Sequence, residues 1–488
     1  MGKSDALFQL VRSLNGTEKR YFKTFYSKQQ YNQDRKFLLL FDRMVEMCSQ
    51  ESYDEALLLK NLRGAIDEEH LPYEKNYLYQ AVLKSLRNYH AAKTPALKLK
   101  ELMIDISLLY EKGLVADSFK HIRRAKKLAL KYDFRLPLLE LILMERRLIR
   151  QFMRKNVQVK LKAVQADAAK YLQEINLQFK SLTVYENIFS MILHSERTKD
   201  KITEYQNQLA ALLPDSDGLE FPSFELPIYA HLSYSMLFLL TGEHEKRLHH
   251  LKKLISLFED HPHLLKENQY NKRYINCLNN YINGCCAIGE LEELQRQIGK
   301  MKHFQSQNRD LSFQSDQLLL YSQMLYFLKK EQFEHIVEMA NEIEAFMQQH
   351  EKQMNLPFRV TFNLNLAVAY LFEKKFSEAH EKINQIINEP KFEVRRDIQM
   401  LSRIFRILLL IEEQEFMTAE YQVYAAIRYC KKFRKNNAVE GKILNILKQA
   451  VQNGDITLTA PLTGLLENKN GYEEVYLWTK RTNLNKPR

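Results

Sequence analysis

One pattern of apolar and polar positions recurs along the chain. An apolar, aromatic-bearing helical stretch leads into a short turn of glycine or charged residues. An apolar residue follows, then a small residue three positions on, then a second helical stretch. The first clear copy is Tyr110–Ala125, YEKGLVADSFKHIRRA, with Gly113 in the turn and Ser118 and Ala125 at the small positions. The second is Ala369–Ala379, AYLFEKKFSEA, where Phe376 is the apolar residue after the turn, Ala379 is small, and Pro390 closes the unit. Weaker copies turn at Gly242, Gly289, Glu331 and Gln414, so successive turn starts lie 47, 42, 43 and 40 residues apart, counting 374 between the last two. Gly113 and Gly242 are 129 residues apart, which holds three units of 43 with turns near Lys155 and Lys199. A fixed period of this kind is the mark of a helical array.

The units resemble tetratricopeptide repeats. Small residues stand where two antiparallel helices approach closely, and an aromatic fills the adjacent gap. The period exceeds the ~34 residues of that family, which implies longer helices. The expected fold is all-α, an α-solenoid of about seven or eight antiparallel helix pairs wound as a curved right-handed superhelix. Residues 1–92 are helical but off the register and form an N-terminal capping region. Residues 93–452 hold the repeats. Residues 453–488, with the only tryptophan, Trp478, form a C-terminal cap and tail. The stretch 213–227 has three prolines and a glycine that end helices, and a joint between two halves of the array fits there.

The N-terminal stretch SLNGTEKRYFKTFYS, residues 13–27, interleaves bases with aromatics. Thr17 is the expected N-cap of a helix. At 100° per residue Tyr21, Phe22, Phe25 and Tyr26 gather on one side, with Lys19, Arg20 and Lys23 opposite. A base-stacking surface needs both sets on one face. The aromatics therefore read as core and the bases as the wet face.

Composition strengthens the helical reading. Gly (13) and Pro (11) stand at less than half their average usage, too few for many tight turns between strands. No apolar run approaches the ~20 residues of a spanning helix. The first residues lack a signal-peptide core, and the expected location is cytoplasmic. The five cysteines, Cys48, Cys277, Cys285, Cys286 and Cys430, form no CxxC and read as buried reduced thiols. Net charge is +12, and Lys93–Lys162 alone holds 18 Lys+Arg against 7 Asp+Glu.

Enzyme signatures are absent from the sequence: no GxGxxG after a strand, no GxxxxGK[ST], no HExxH, no GxSxG and no EF-hand loop. His244, His249, His250, His261 and His263 are close in sequence, but adjacent histidines on a helix diverge by about 100°. A solvated helix end is the expectation there, with no metal and no cofactor. Packing between helices is the reading for Cys285–Cys286.

A polar stripe marks the first helix of the later repeats. Arg273, Asn276, Asn280 and Asn283 share one face, as do Arg396, Gln399, Arg403 and Arg406. Gln317 with Tyr321, and Arg359 with Asn363, stand at i, i+4 between them. Asn and Gln can pair with an extended backbone, and Arg with a carboxylate or phosphate. The resemblance implies the same use, since tetratricopeptide domains clamp peptide tails with such residues. The expected function is a non-catalytic scaffold binding a peptide or protein segment, acidic in character, in a concave groove. A solvated polar face is the bland alternative. A second basic surface is formed by Lys120, Arg123, Arg124, Lys127 and Lys131, continued by Arg146, Arg147, Arg150 and Arg154. It offers the other alternative, a nucleic-acid-associated or regulatory helical-repeat protein using residues 120–162.

Overall fold

The computed structural model describes the chain except residues 1–4, 28–34, 49–52, 63, 92, 153–154, 194–197, 213–222, 267, 304–308, 390–394, 434–437, 468–470 and 485–488. Pro390, Arg154, most of the 213–227 stretch and the end of the basic tail thus lie outside the described residues. The described residues form helices and no strand. They group into two units, Met1–Ser233 with Phe258–Tyr270, and Tyr234–Leu257 with Asn271–Arg488.

The first unit opens with α1 (Asp5–Ser13), α2 (Gly16–Ser27), α3 (Arg35–Met47), α4 (Glu55–Asn61) and α5 (Leu71–His90). Phe8, Phe22, Leu40, Phe41, Met44 and Leu78 bury a core of their own there. The α2 start differs from the expectation. Asn15, rather than Thr17, caps it. Its Oδ1 accepts from Glu18 N at 2.9 Å, and the Glu18 carboxylate accepts from Asn15 N at 2.9 Å. This reciprocal box satisfies two donors at once, and the helix therefore starts at Gly16. Phe22 is fully buried, 4.2 Å from the Phe41 ring, with Tyr21, Phe25 and Tyr26 half-buried around it. Arg20 and Lys23 are exposed.

Next come α6 (Pro95–Glu111), α7 (Val115–Lys131), α8 (Arg135–Phe152), α9 (Val157–Leu193) and α10 (Lys199–Leu212), and from α7 on each packs on the one before it. Thr94 caps α6, whose first residue is Pro95, preset for a helix start. Ser118 and Ala125 are fully buried where α7 meets its neighbours. Helices break near Lys155 and Lys199. Between them, however, α9 runs 37 residues without a turn. Residues 157–193 contain no Gly and no Pro, so nothing stops the helix.

The unit boundaries fall within α11 (Glu225–Thr241), α12 (His244–Asp260) and α13 (Asn268–Ile288). The second unit continues with α14 (Leu291–His303), α15 (Arg309–Lys329), α16 (Phe333–Glu338), α17 (Ala340–Gln349), α18 (Leu356–Phe372) and α19 (Phe376–Ile387). It ends with α20 (Arg396–Glu412), α21 (Phe416–Phe433), α22 (Ala438–Asn453), α23 (Pro461–Leu466) and α24 (Glu473–Leu484). From α18 to α22 each helix packs on its predecessor, and α15, α18, α20 and α22 also touch in succession. This sequence-ordered packing is compatible with a helical-repeat solenoid.

The turns share one geometry. Gly113, Gly242, Gly289, Glu331, Lys374 and Gln414, the six turn starts of the sequence pattern, all have positive φ, between 56° and 81°. In each, the next residue's N–H returns to the carbonyl five positions back, as in Leu114 to Leu109 (2.9 Å) and Lys375 to Tyr370 (2.8 Å). That is the Schellman ending of a helix, which favours glycine because L side chains are strained there. Lys374 carries that strain at φ 58°. Lys374→Gly is expected to stabilise the second unit by up to about 1 kcal/mol, measured by guanidinium unfolding.

Candidate functional site

The polar stripe falls on α13, α15, α18 and α20 of the second unit, and the structure uses much of it to tie helices together. On α13, Asn276 is exposed while Arg273, Asn280 and Asn283 are half-buried. Gln314 Nε2 on α15 donates to Asn276 Oδ1 at 2.9 Å, and Tyr321 Oη donates to Asn283 Oδ1 at 3.3 Å. These two links are seven residues apart on both helices, so they repeat one contact two turns further on. Burial pushes the Tyr321 phenol up to about 12, which keeps it a donor.

Three stripe residues are not open to a ligand. Gln317, Asn363 and Gln399 are buried. The reason is clearest on α18, where Phe362 and Leu364 on either side of Asn363 are buried too. A helix covered by its own partner and by both neighbouring first helices leaves almost no free strip. Gln399 Nε2 donates to Ile386 O across the helix pair. Asn363 Oδ1 has no hydrogen-bond partner among the described residues. Arg359 is held by Glu389 at 2.7 Å.

What remains is centred on α20. Arg403 lies 4.0 Å over the Tyr429 ring and donates one nitrogen to Gln399 O (2.8 Å) and Oε1 (2.6 Å). Arg406, one turn on, donates to Asn384 Oδ1 of α19. Both side chains are half-buried, and neither has a carboxylate partner among the described residues. Burial lowers both guanidinium pKa values, and Arg406 lowers that of Arg403 further by repulsion. Two desolvated cations side by side are an unfavourable arrangement unless an anion joins them. Arg396 stacks on Phe433 at the head of the same helix.

Sequence reasoning missed a third such cation, Arg247 on α12. It occupies the position five residues after the turn start, where other units carry Ser118, Ala379 and Ala419, and it is buried like them. Its nearest anchor is Asn280 O at 3.4 Å, and burial lowers its pKa. Gly284 on α13 makes room chiefly for its neighbour: a Cβ there would come within 2.5 Å of Leu248 and only to 3.9 Å of Arg247. The large residue at a small position of the repeat was the available signal.

The histidines do not gather. His250 is buried and stacks 4.7 Å from Tyr234, whereas His249 is exposed. The expected solvated end is thus half packed, because His250 faces the α11 aromatics. The thiols of Cys277, Cys285 and Cys286 are buried, and burial pushes them up to about 12, 11 and 11. In the first unit, Lys120, Arg123, Arg124, Lys127 and Lys131 line the exposed face of α7, and among the described residues Lys120 alone of these forms an ion pair, to Asp117 at 2.9 Å. Lys126 turns inward to Glu145 at 2.8 Å. Arg147 and Arg150 are exposed on α8. Among the described residues no helix is long and apolar enough to cross a membrane. No family model matches the chain, and neither the curated proteins nor the solved structures contain a match.

Proposed function

We propose that the chain is a non-catalytic interaction scaffold of long-period, tetratricopeptide-like helix pairs. Its second unit takes an acid-bearing peptide or protein segment against the first helices of the pairs. One observation carries this reading: Arg403 and Arg406 stand one turn apart, partly desolvated and without an acid partner among the described residues. A carboxylate or phosphate from a partner compensates both charges and gains charge-assisted hydrogen bonds. The exposed Asn276 and the half-buried Asn280 and Arg273 supply further polar contacts on α13. A cytoplasmic location belongs to the same reading, supported by five free thiols. The α7 cation row keeps a nucleic-acid-associated or regulatory role as the second reading.

The test is Arg403→Glu with Arg406→Glu. Partner recovery from native cells is expected to fall at least about tenfold, the scale of losing charge-assisted bonds in a desolvated site. Circular dichroism checks that the variant folds. Recovery unchanged in a folded variant rules out this groove. Loss of nucleic acid, rather than protein, on mutating Lys127 and Lys131 to Glu would support the second reading.

A further inference from the structure

The first unit carries a surface that the sequence pattern did not single out. On α6, Leu97, Glu101, Ile104, Leu108 and Glu111 share one exposed face, opposite the buried Leu99, Leu102 and Ile106. On α8, the same face bears Leu136, Glu140, Leu143, Arg147 and Arg150, each 39 residues further on. Ile104 is 60% exposed, Leu136 58%, Leu108 52% and Leu143 49%. Both helices pack on α7, and Tyr110 near the end of α6 donates to Gln151 and meets the Phe152 ring near the end of α8. The two helices therefore run side by side and parallel. Their outward strips together present apolar side chains crossed by charges, a surface of the kind that marks an interaction site.

The charges decide what fits. Arg147 and Arg150 enter no hydrogen bond or ion pair among the described residues, nor do Glu101 and Glu140. A nucleic acid or a uniformly acidic partner would meet Glu101, Glu111 and Glu140. A uniformly basic partner would meet the arginines. The occupant must carry apolar residues with acid and base in reversed order. The strip itself does so. Turning a second copy by 180° about an axis across the helices sets α8 antiparallel on α8. Leu143 then meets Leu143, and Glu140 meets Arg147 twice, because the two lie equally far from the midpoint between 143 and 144. The same rotation lays Ile104 near Ile104 on α6. Rotation about the helix direction instead opposes Glu101 to Glu140, whose repulsion offsets the Glu111–Arg150 attraction it also makes, and sets Leu108 against Arg147. A two-fold interface requires self-complementarity of this kind.

We propose that the chain forms a two-fold homodimer through the exposed α6–α8 face, with Ile104 and Leu143 at its centre and reciprocal Glu140–Arg147 pairs beside them.

The test uses the full chain. Sedimentation over a concentration series is expected to reach twice the 58.0 kDa chain mass. Ile104→Asp with Leu143→Asp should leave a monomer; Ile104→Gln with Leu143→Gln serves if the first pair fails to fold. Glu140→Arg alone, and Arg147→Glu alone, should each weaken dimerisation about tenfold or more by opposing like charges. The double exchange Glu140→Arg with Arg147→Glu should restore it to within about threefold, as coupled neighbours do in a mutant cycle. A wild-type chain that stays monomeric at every concentration overturns the proposal. So does a dimer indifferent to the position 104 and 143 changes, or a double exchange that restores nothing.

Discussion

Phe333→Ala is expected to destabilise the second unit by about 3–5 kcal/mol, the range for emptying a large buried aromatic site. Phe333 begins α16 directly after the Glu331 turn and is 1% exposed. Its ring stacks on Phe372 of α18 at 4.2 Å with planes 9° apart. The Arg481 guanidinium of α24 lies over both rings, at 5.0 and 4.9 Å, and approaches Glu331 at 3.8 Å. One residue thus holds the ends of three helices, and truncation leaves a cavity and strips Arg481 of half its π surface. The chain has its own reporter. Trp478, the only tryptophan, is buried on α24 and donates to Glu412 Oε1 at 2.8 Å. Its emission should shift at lower guanidinium concentration in the variant. An unchanged midpoint would mean that the stack carries no load.

Asp133→Ala should cost the first unit about 1–3 kcal/mol, the penalty for orphaning buried donors. Asp133 sits at φ 57° in the turn between α7 and α8. Its Oδ2 accepts from Phe224 N at 2.9 Å and Glu225 N at 3.4 Å, so it caps α11 from 91 residues away. Arg135 pairs with its other oxygen at 2.8 Å and with the buried Glu174 at 3.5 Å. Burial pushes the Asp133 carboxyl from 3.8 to about 6, against the pull of Arg135 and the two N–H groups. The folded chain then holds a proton that the unfolded chain has released between about pH 4 and 6. This group's contribution to stability therefore falls as pH rises through that window. Asp133→Asn keeps an acceptor for the α11 amides and removes the titration. Relative to wild type it should gain about 2–3 kcal/mol between pH 4 and 7. A constant difference across that range would refute the assignment.

The turns were the most legible part of the chain. Gly113, Gly242 and Gly289 announce themselves, and Glu331, Lys374 and Gln414 were found from the apolar and small residues that follow them. A Schellman ending is local chemistry, satisfied within six residues, so a linear reading can reach it. The absence of a stop between 157 and 193 was equally local, and the even period placed turns near Lys155 and Lys199, on either side of that stretch. Lateral contacts were beyond reach. Nothing near Asn363 or Gln399 in sequence shows that helices 30 to 40 residues away close over them. Arg403 and Arg406 share a face in the sequence, but only packing reveals that no carboxylate among the described residues comes to meet them.

The sequence by itself determined helices, their six shared turns and the small residues that let them approach, because these depend on φ preferences and on one face of one helix. Tertiary structure alone decided which polar stripe is spent on holding helices together and which remains open. It also decided that Leu97, Ile104, Leu108, Leu136 and Leu143 stay exposed. Burial is a property of neighbours distant in the chain, and the same apolar spacing that reads as core in one helix becomes a docking face in the next when nothing in the fold covers it.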